Sequence, residues 1–387
     1  MSVADTDIAS RRLHNQQIAG TPFARPEEVV RWLGAVQAQD YGGAKWAVGL
    51  RSAGVTDAAM DRALADGVIL RTHVLRPTWH FVTPADIRWM LALTAPRVNA
   101  LNAYYYRTLG LDHTVFRRSN AALARALQGG RQLTRPELVA ALKQAGIAAE
   151  TLLGYTLLLM RAELDAVICS GALRGKQHTY ALLDERASQA RTLEREEALA
   201  ELAGRYFASH GPATLKDFVW WSGLTAADAK SGLELVKPHL MHEVIDGQTY
   251  WFAPSSPPVQ RVSPTAYFLP NFDEYTVGYS DRSAVCGALH AKGLEARANV
   301  VLGYVIVLDG QIVGTWKRTL KKGAVAIETT PFVQLDEAEM QALHVAAERY
   351  GVFSKRPVQF SRRAGNTEVR EATDHAAAAD DDPPRLG

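Results

Sequence analysis

Between residues 27 and 252 one local order comes round three times: helical segments, then two β-prone runs about a short connection. In the first copy, EEVVRWLGAVQ (27–37) sets Val30, Leu33 and Val36 at helical spacing behind Pro26, a residue suited to a first helical turn. DAAMDRALADG (57–67) reads as a second helix ended by Gly67, and VILRTHV and TWHFVTP then flank Leu75-Arg76-Pro77. Pro77 lacks a donor and disfavours an undisturbed hairpin at this point. In the second copy, Thr134 and Glu137 form a capping signature for LTRPELVAALKQAG (133–146). A helix from Leu152 to Val167 follows, then the strand pair ICSGALRG and KQHTYALL. In the third, helices over 196–209, 212–223 and 225–236 precede MHEVI and QTYWF, joined by the strong turn dipeptide Asp246-Gly247.

Helices followed by a hairpin is the order of a winged helix. The chain therefore reads as an α+β protein of tandem winged-helix (helix-turn-helix) modules, over 8–112, 113–190 and 191–254. The irregular period excludes a solenoid, and unrelated helices with incidental hairpins are the alternative. After a Pro-rich linker (253–264) the pattern turns to strand, with YVIVLDGQIVGTWKRTL (304–320) folding about Asp309-Gly310 and AVAIETTPFVQL following. DEAEMQALHVAAERYG (336–351) reads as a helix from Asp336 to Gly351. A β-barrel-like domain with a closing helix is expected over 255–361. Residues 362–387 have almost no large apolar side chains to bury and read as a disordered acidic tail.

Residues 364–387 carry two basic and six acidic side chains, so the net charge of +2 resolves to +6 on residues 1–363. A mildly basic body permits a nucleic-acid partner without demanding one. Cys169 and Cys286 form no ligand spacing and suit a reducing compartment. The first residues lack a signal-peptide core, and no run approaches the ~20 apolar residues of a membrane span. The expectation is a cytoplasmic, nucleoid-associated monomer with no membrane partner.

No HExxH, CxxC, EF-hand, GxGxxG, Walker or GxSxG motif occurs, so neither a metal nor a cofactor is expected. What stands out is Gln37-Ala38-Gln39. On a helix, residues i and i+2 point about 200° apart; in extended chain they share a side. The two amides can share a target only if the preceding helix ends near Gln37, and Tyr41-Gly42-Gly43 is compatible with such a break. The plainer use of both amides is to satisfy backbone groups at a helix end.

Gln37-Ala38-Gln39 resembles the Q-apolar-Q motif of AlkZ-type DNA glycosylases, and Arg71-Thr72-His73-Val74-Leu75-Arg76-Pro77-Thr78-Trp79-His80 resembles that family's R-x-T-x-H run in the first wing. Leu269-Pro270-Asn271-Phe272-Asp273-Glu274-Tyr275, ending at Asp281-Arg282, and Gly314-Thr315-Trp316-Lys317-Arg318 follow in the same order, so the likeness spans residues 8–360. Pro77 stands where many members carry a smaller residue such as Gly. The resemblance implies three winged-helix modules and a β-barrel gathered into a C-shaped body around DNA. It implies a monofunctional DNA glycosylase acting on damaged double-stranded DNA, in repair or in self-resistance to alkylating agents. Its substrates would be N7-alkylated purines, bulky adducts and interstrand crosslinks included.

N7 alkylation makes the base cationic, so it departs without a strong general acid. Gln37 and Gln39 are the expected catalytic pair: a neutral amide orients a water without the desolvation cost of a buried carboxylate. His73, Arg76, Thr78, His80 and Asp273 are expected at the substrate and DNA pocket, and Arg71, Trp316, Lys317, Arg318, Lys321 and Lys322 at DNA phosphates. Each has a plainer use: the histidines as hydrogen-bonded wing residues, Asp273 as a cap, the lysines as protection of a sheet edge. A non-catalytic winged-helix DNA-binding protein or transcription factor is the alternative class, and would call for a more basic recognition helix than 57–67 or 225–236. A hydrolase of a small toxic metabolite, which would not bind DNA, is a third.

Overall fold

The computed structural model describes residues 3–149, 151–254, 263–287 and 301–363; all but the first two residues of the expected tail and most of the Pro-rich linker lie outside them. Helix α1 (Val3–Asn15) precedes a first unit of α2 (Pro26–Leu33), β1 (Val36–Gln37), α3 (Tyr41–Leu50), α4 (Asp57–Ala65), β2 (Leu70–Val74) and β3 (Arg76–Val82). Helix α5 (Ile87–Thr108) leads to a second unit of α6 (His113–Leu127), β4 (Leu133–Thr134), α7 (Arg135–Gln144), α8 (Leu152–Leu164), β5 (Ile168–Ser170) and β6 (Thr179–Leu182). One helical turn, α9 (Leu183–Arg186), separates it from a third unit: α10 (Arg195–His210), α11 (Leu215–Ser222), α12 (Ala226–Val236), β7 (Met241–Ile245) and β8 (Gln248–Phe252). Where the first two units have β1 and β4, the third has a single bridge between Ala213 and Trp251. Each unit thus runs helix, short strand or bridge, two helices, hairpin.

Side-chain capping starts these helices. Thr134 with Glu137, and Thr214 with Asp217, form reciprocal boxes that satisfy the first free N–H groups of α7 and α11. The hairpin β2–β3 accommodates Pro77 through a bulge: His73 faces Trp79, but Val74 faces Arg76, so Pro77 and Thr78 stand out of the ladder.

The C-terminal part contains β9 (Ala266–Leu269), α13 (Glu274–Val277), β10 (Val305–Leu308), β11 (Gln311–Lys321), β12 (Ala324–Pro331), α14 (Glu337–Ser354) and β13 (Val358–Arg362). Its strands form a sheet in the order β9-β10-β11-β12-β13, antiparallel except for the last pair, which α14 joins as a crossover. The expected barrel is corrected here: among the described residues β9 and β13 are unpaired edges, and the sheet is open. Helices bury its apolar face, through Trp46 of α3 and Tyr350 and Phe353 of α14, so closure is not needed to cover it. Helix α14 also runs through Gly351 to Ser354.

Two cores meet in the first unit. One joins α1–α4 to the C-terminal sheet and α14; the other joins β2, β3 and α5 to α10–α12 of the third unit. A separate core fills the second unit. Cys169 and Cys286 are buried free thiols. No described helix is long and apolar enough to cross a membrane.

Candidate active site around Gln37 and Gln39

Helix α2 stops short of the two glutamines. Gly34 ends it with φ of 82°, a conformation that favours glycine, and its N–H reaches back to the Arg31 carbonyl. Val36 and Gln37 then pair with Phe81 and His80 of β3, and Ala38 N–H donates to the Trp79 carbonyl at 2.7 Å. Asp40 opens α3 by accepting from Gly43 N–H at 2.9 Å. Strand β1 ends at Gln37, and Gln39 lies two residues on, half-buried in the bend that leads into α3. His80 pairs with Gln37 and Thr72 pairs with His80, so the same side carries all three.

Gln37 is held at both ends. Its backbone N–H donates to Glu274 Oε1 at 3.0 Å, and its side-chain Oε1 accepts from Arg76 Nη2 at 3.0 Å. Arg76 Nη1 donates to the carbonyl of Trp221, and Trp221 Nε1 donates to Glu274 Oε2 at 2.8 Å. His210 Nε2 lies 3.3 Å from the same oxygen. Burial alone would raise the Glu274 pKa; the His210 hydrogen bond and charge, the Gln37 N–H and Arg76 together draw it below the ordinary carboxylate value. Glu274 is thus a buried anion and Arg76 a half-buried guanidinium, with Gln37 hydrogen-bonded to both.

His80 Nδ1 lies 2.9 Å from the Thr78 carbonyl, which can only accept, so Nδ1 carries the proton and Nε2 a bare lone pair. Burial, then the charge of Arg76, push this imidazole down to about 3, so it is neutral at physiological pH. His80 Nε2, Thr72 Oγ1 and Thr78 Oγ1 are buried and have no hydrogen-bond partner among the described residues. Buried polar atoms are otherwise almost always paired, which marks this strip as able to take further hydrogen bonds.

The other expected site residues divide. Arg71 braces the strand, its Nε donating to the Ala38 carbonyl at 3.1 Å and its guanidinium stacking 4.3 Å from the Trp79 ring. His73 turns away to Glu163 of α8 and packs on Trp79. Asp273 is next to Glu274 but turns to Arg51, both of its oxygens accepting from that guanidinium at 2.7 and 2.9 Å, and it caps α13. Trp316, expected at DNA, is 4% exposed; it stacks on Phe268 and donates to the Leu269 carbonyl. Arg318 points inward too, donating to the hydroxyls of Tyr350 at 2.7 Å and Tyr304 at 3.1 Å. Tyr304 in turn donates to Asp40 at 2.6 Å, so Arg318 supports the corner after Gln39. The two-residue period of β11 explains the split: Trp316 and Arg318 face in, while Lys317 and Lys321 face solvent, with Lys322 exposed in the turn beyond.

Glu274, His210 and Trp221 were not singled out in the sequence. Glu274 lay inside the run 269–275 that carries the resemblance, one position from Asp273. His210 and Trp221 come from the third unit and carry no local signal. Among the described residues no cluster of His, Cys, Asp or Glu could hold a metal ion.

Comparison with known proteins identifies the family. A protein of Streptomyces sahachiroi named an interstrand DNA cross-link repair glycosylase is 26% identical over 378 residues, covering 93% of this chain and 100% of that protein. The structure of the Streptomyces sahachiroi DNA glycosylase AlkZ matches with a TM-score of 0.74 at 22% identity, again over 93% of this chain and all of that one, and shares the fold. The family model described as DNA glycosylase AlkZ-like matches residues 30–353. The chain belongs to the AlkZ-like DNA glycosylase family, hydrolases of N-glycosyl bonds.

Proposed function

We propose that this glycosylase removes N7-alkylated purines from damaged double-stranded DNA, using a water positioned by Gln37 and Gln39. The observation that carries the reading is the end of α2 at Leu33, which takes both glutamines off the helix, Gln37 onto the buried strand β1 and Gln39 into the bend two residues beyond it. In the proposed reaction the C1′–N9 bond breaks and its electron pair neutralises the cationic base. The water oxygen bonds to C1′ and sheds a proton to solvent, leaving an abasic site. Amides are feeble bases, so the substrate must bring its own activation. The name of the Streptomyces sahachiroi relative supports interstrand crosslinks as substrates, in repair; bulky adducts and a role in self-resistance are part of the same proposal. A crosslinked base is tied to the opposite strand, which disfavours full extrusion into a closed pocket.

The threefold repeat of helix, strand or bridge, helix pair and hairpin supports tandem winged helices over 8–112, 113–190 and 191–254; action as a monomer on the nucleoid is part of the same proposal. The test of the reading is incubation with a duplex carrying N7-methylguanine, followed by alkaline cleavage. Strand breaks at the adduct are expected; tight DNA binding without breaks would favour a non-catalytic binder.

Lys317, Lys321 and Lys322 are proposed to hold DNA phosphates. Neutralising them should weaken binding to damaged and undamaged duplexes alike. It should also flatten the dependence of log K on log salt by up to about 0.9 for each lysine–phosphate pair removed. An unchanged slope would make them a solvated sheet edge.

A further inference from the structure

We infer that Arg76 is a positioning residue that fixes which way round the Gln37 amide faces, so that Gln37 gives a hydrogen bond to the attacking water and Gln39 receives one. This rests on the proposal that the two glutamines hold that water. A guanidinium carries only donors. The Gln37 group 3.0 Å from Arg76 Nη2 is therefore the amide oxygen, and the NH₂ end is turned away from Arg76. Flipping the amide would set donor against donor at a buried site, leaving both unsatisfied.

Arg76 cannot easily yield instead. Its Nη1 is held by the carbonyl of Trp221, at the C-terminal, partially negative end of α11, and its charge is balanced by buried Glu274. The third unit presses on this corner as well. Gly223, with φ of 67°, lies where an added Cβ would come within 2.3 Å of the Leu75 carbonyl, so the loop after α11 abuts the wing at the residue before Arg76. Glu274 also fixes the Gln37 backbone, so two opposite charges hold the main chain and the side chain of the same residue.

The division of labour suits hydrolysis. A water attacking C1′ aims one lone pair at carbon and has the other free to accept from Gln37 Nε2. One of its O–H bonds then donates to Gln39 Oε1, the path along which the proton departs once the C–O bond forms. Two acceptors would leave the second lone pair unguided; one donor and one acceptor fix the water in orientation as well as position.

Single glutamate substitutions separate the roles, because a carboxylate accepts but does not donate when ionised. Gln37→Glu keeps its hydrogen bond with Arg76 and loses the donor. Its single-turnover excision of N7-methylguanine should fall about 10–100-fold, with DNA affinity and thermal stability retained. Gln39→Glu keeps an acceptor. Its excision should become pH-dependent, rising as the new carboxylate ionises, and at pH 8 should exceed that of Gln37→Glu by at least about 10-fold. At matched DNA affinity, Arg76→Lys, still a donor, should excise faster than Arg76→Met. Equal losses in the two glutamate variants, or a greater loss in Gln39→Glu, would overturn the split while leaving the glutamine site standing. Wild-type rates and a flat pH profile in both would overturn the site itself.

Discussion

Replacing Gln37 and Gln39 together with alanine should lower excision by at least about 100-fold and leave the fold intact, if positioning of the water is their main contribution. The fold survives because backbone hydrogen bonds keep this strand in place. Gln37 N–H to Glu274, the Gln37–His80 pairing and Ala38 N–H to Trp79 all persist in the double variant. Arg76 loses one acceptor but keeps the Trp221 carbonyl and the charge of Glu274. Circular dichroism and DNA affinity should match wild type while abasic sites cease to form. Excision at the wild-type rate in that variant would remove the glutamines from the chemistry.

Asp273→Ala should act on stability instead. Its carboxylate accepts two hydrogen bonds from Arg51, and both side chains are wholly buried. Removing one partner leaves an uncompensated buried charge, a loss of about 3–5 kcal/mol. The cap on α13 goes with it. Urea unfolding should show the drop, while protein that remains folded still excises. Normal stability with abolished excision would instead return Asp273 to the substrate pocket, where the family resemblance had put it.

Much of the local structure was legible because local chemistry decides it. Asp246-Gly247 and Asp309-Gly310 all adopt positive φ, 51° and 76° in the first turn and 46° and 88° in the second, as tight hairpin turns require. The Thr134–Glu137 box starts α7 at the residue its signature indicated. The requirement that the helix end before Gln37 followed from geometry alone, and Gly34 was the residue that met it. Pro77 looked hostile to a hairpin and instead occupies a bulge in one.

What was not legible depends on packing between distant segments. The basic run 316–322 looked like one surface, yet the strand period sends Trp316 and Arg318 inward, onto Phe268 and onto the hydroxyls of Tyr304 and Tyr350. Adjacent carboxylates at 273 and 274 look alike in sequence. One faces Arg51 and the other faces Gln37, and that choice is made by how α13 docks between the first and third units. Barrel closure likewise depended on whether α3 and α14 cover the C-terminal sheet, which no strand pattern reveals.

The central claim is that two neutral amides suffice because the substrate is already activated. The most direct measurement is single-turnover base release from four duplexes side by side: N7-methylguanine, a bulky N7-alkylguanine, an N7-linked interstrand crosslink, and uracil. Gln37 and Gln39 can neither protonate a leaving base nor strongly deprotonate water, and neutral His80 adds no acid near pH 7. Release from the cationic N7 adducts with none from uracil is the expected result. Efficient uracil release with no release of the N7 adducts would contradict it.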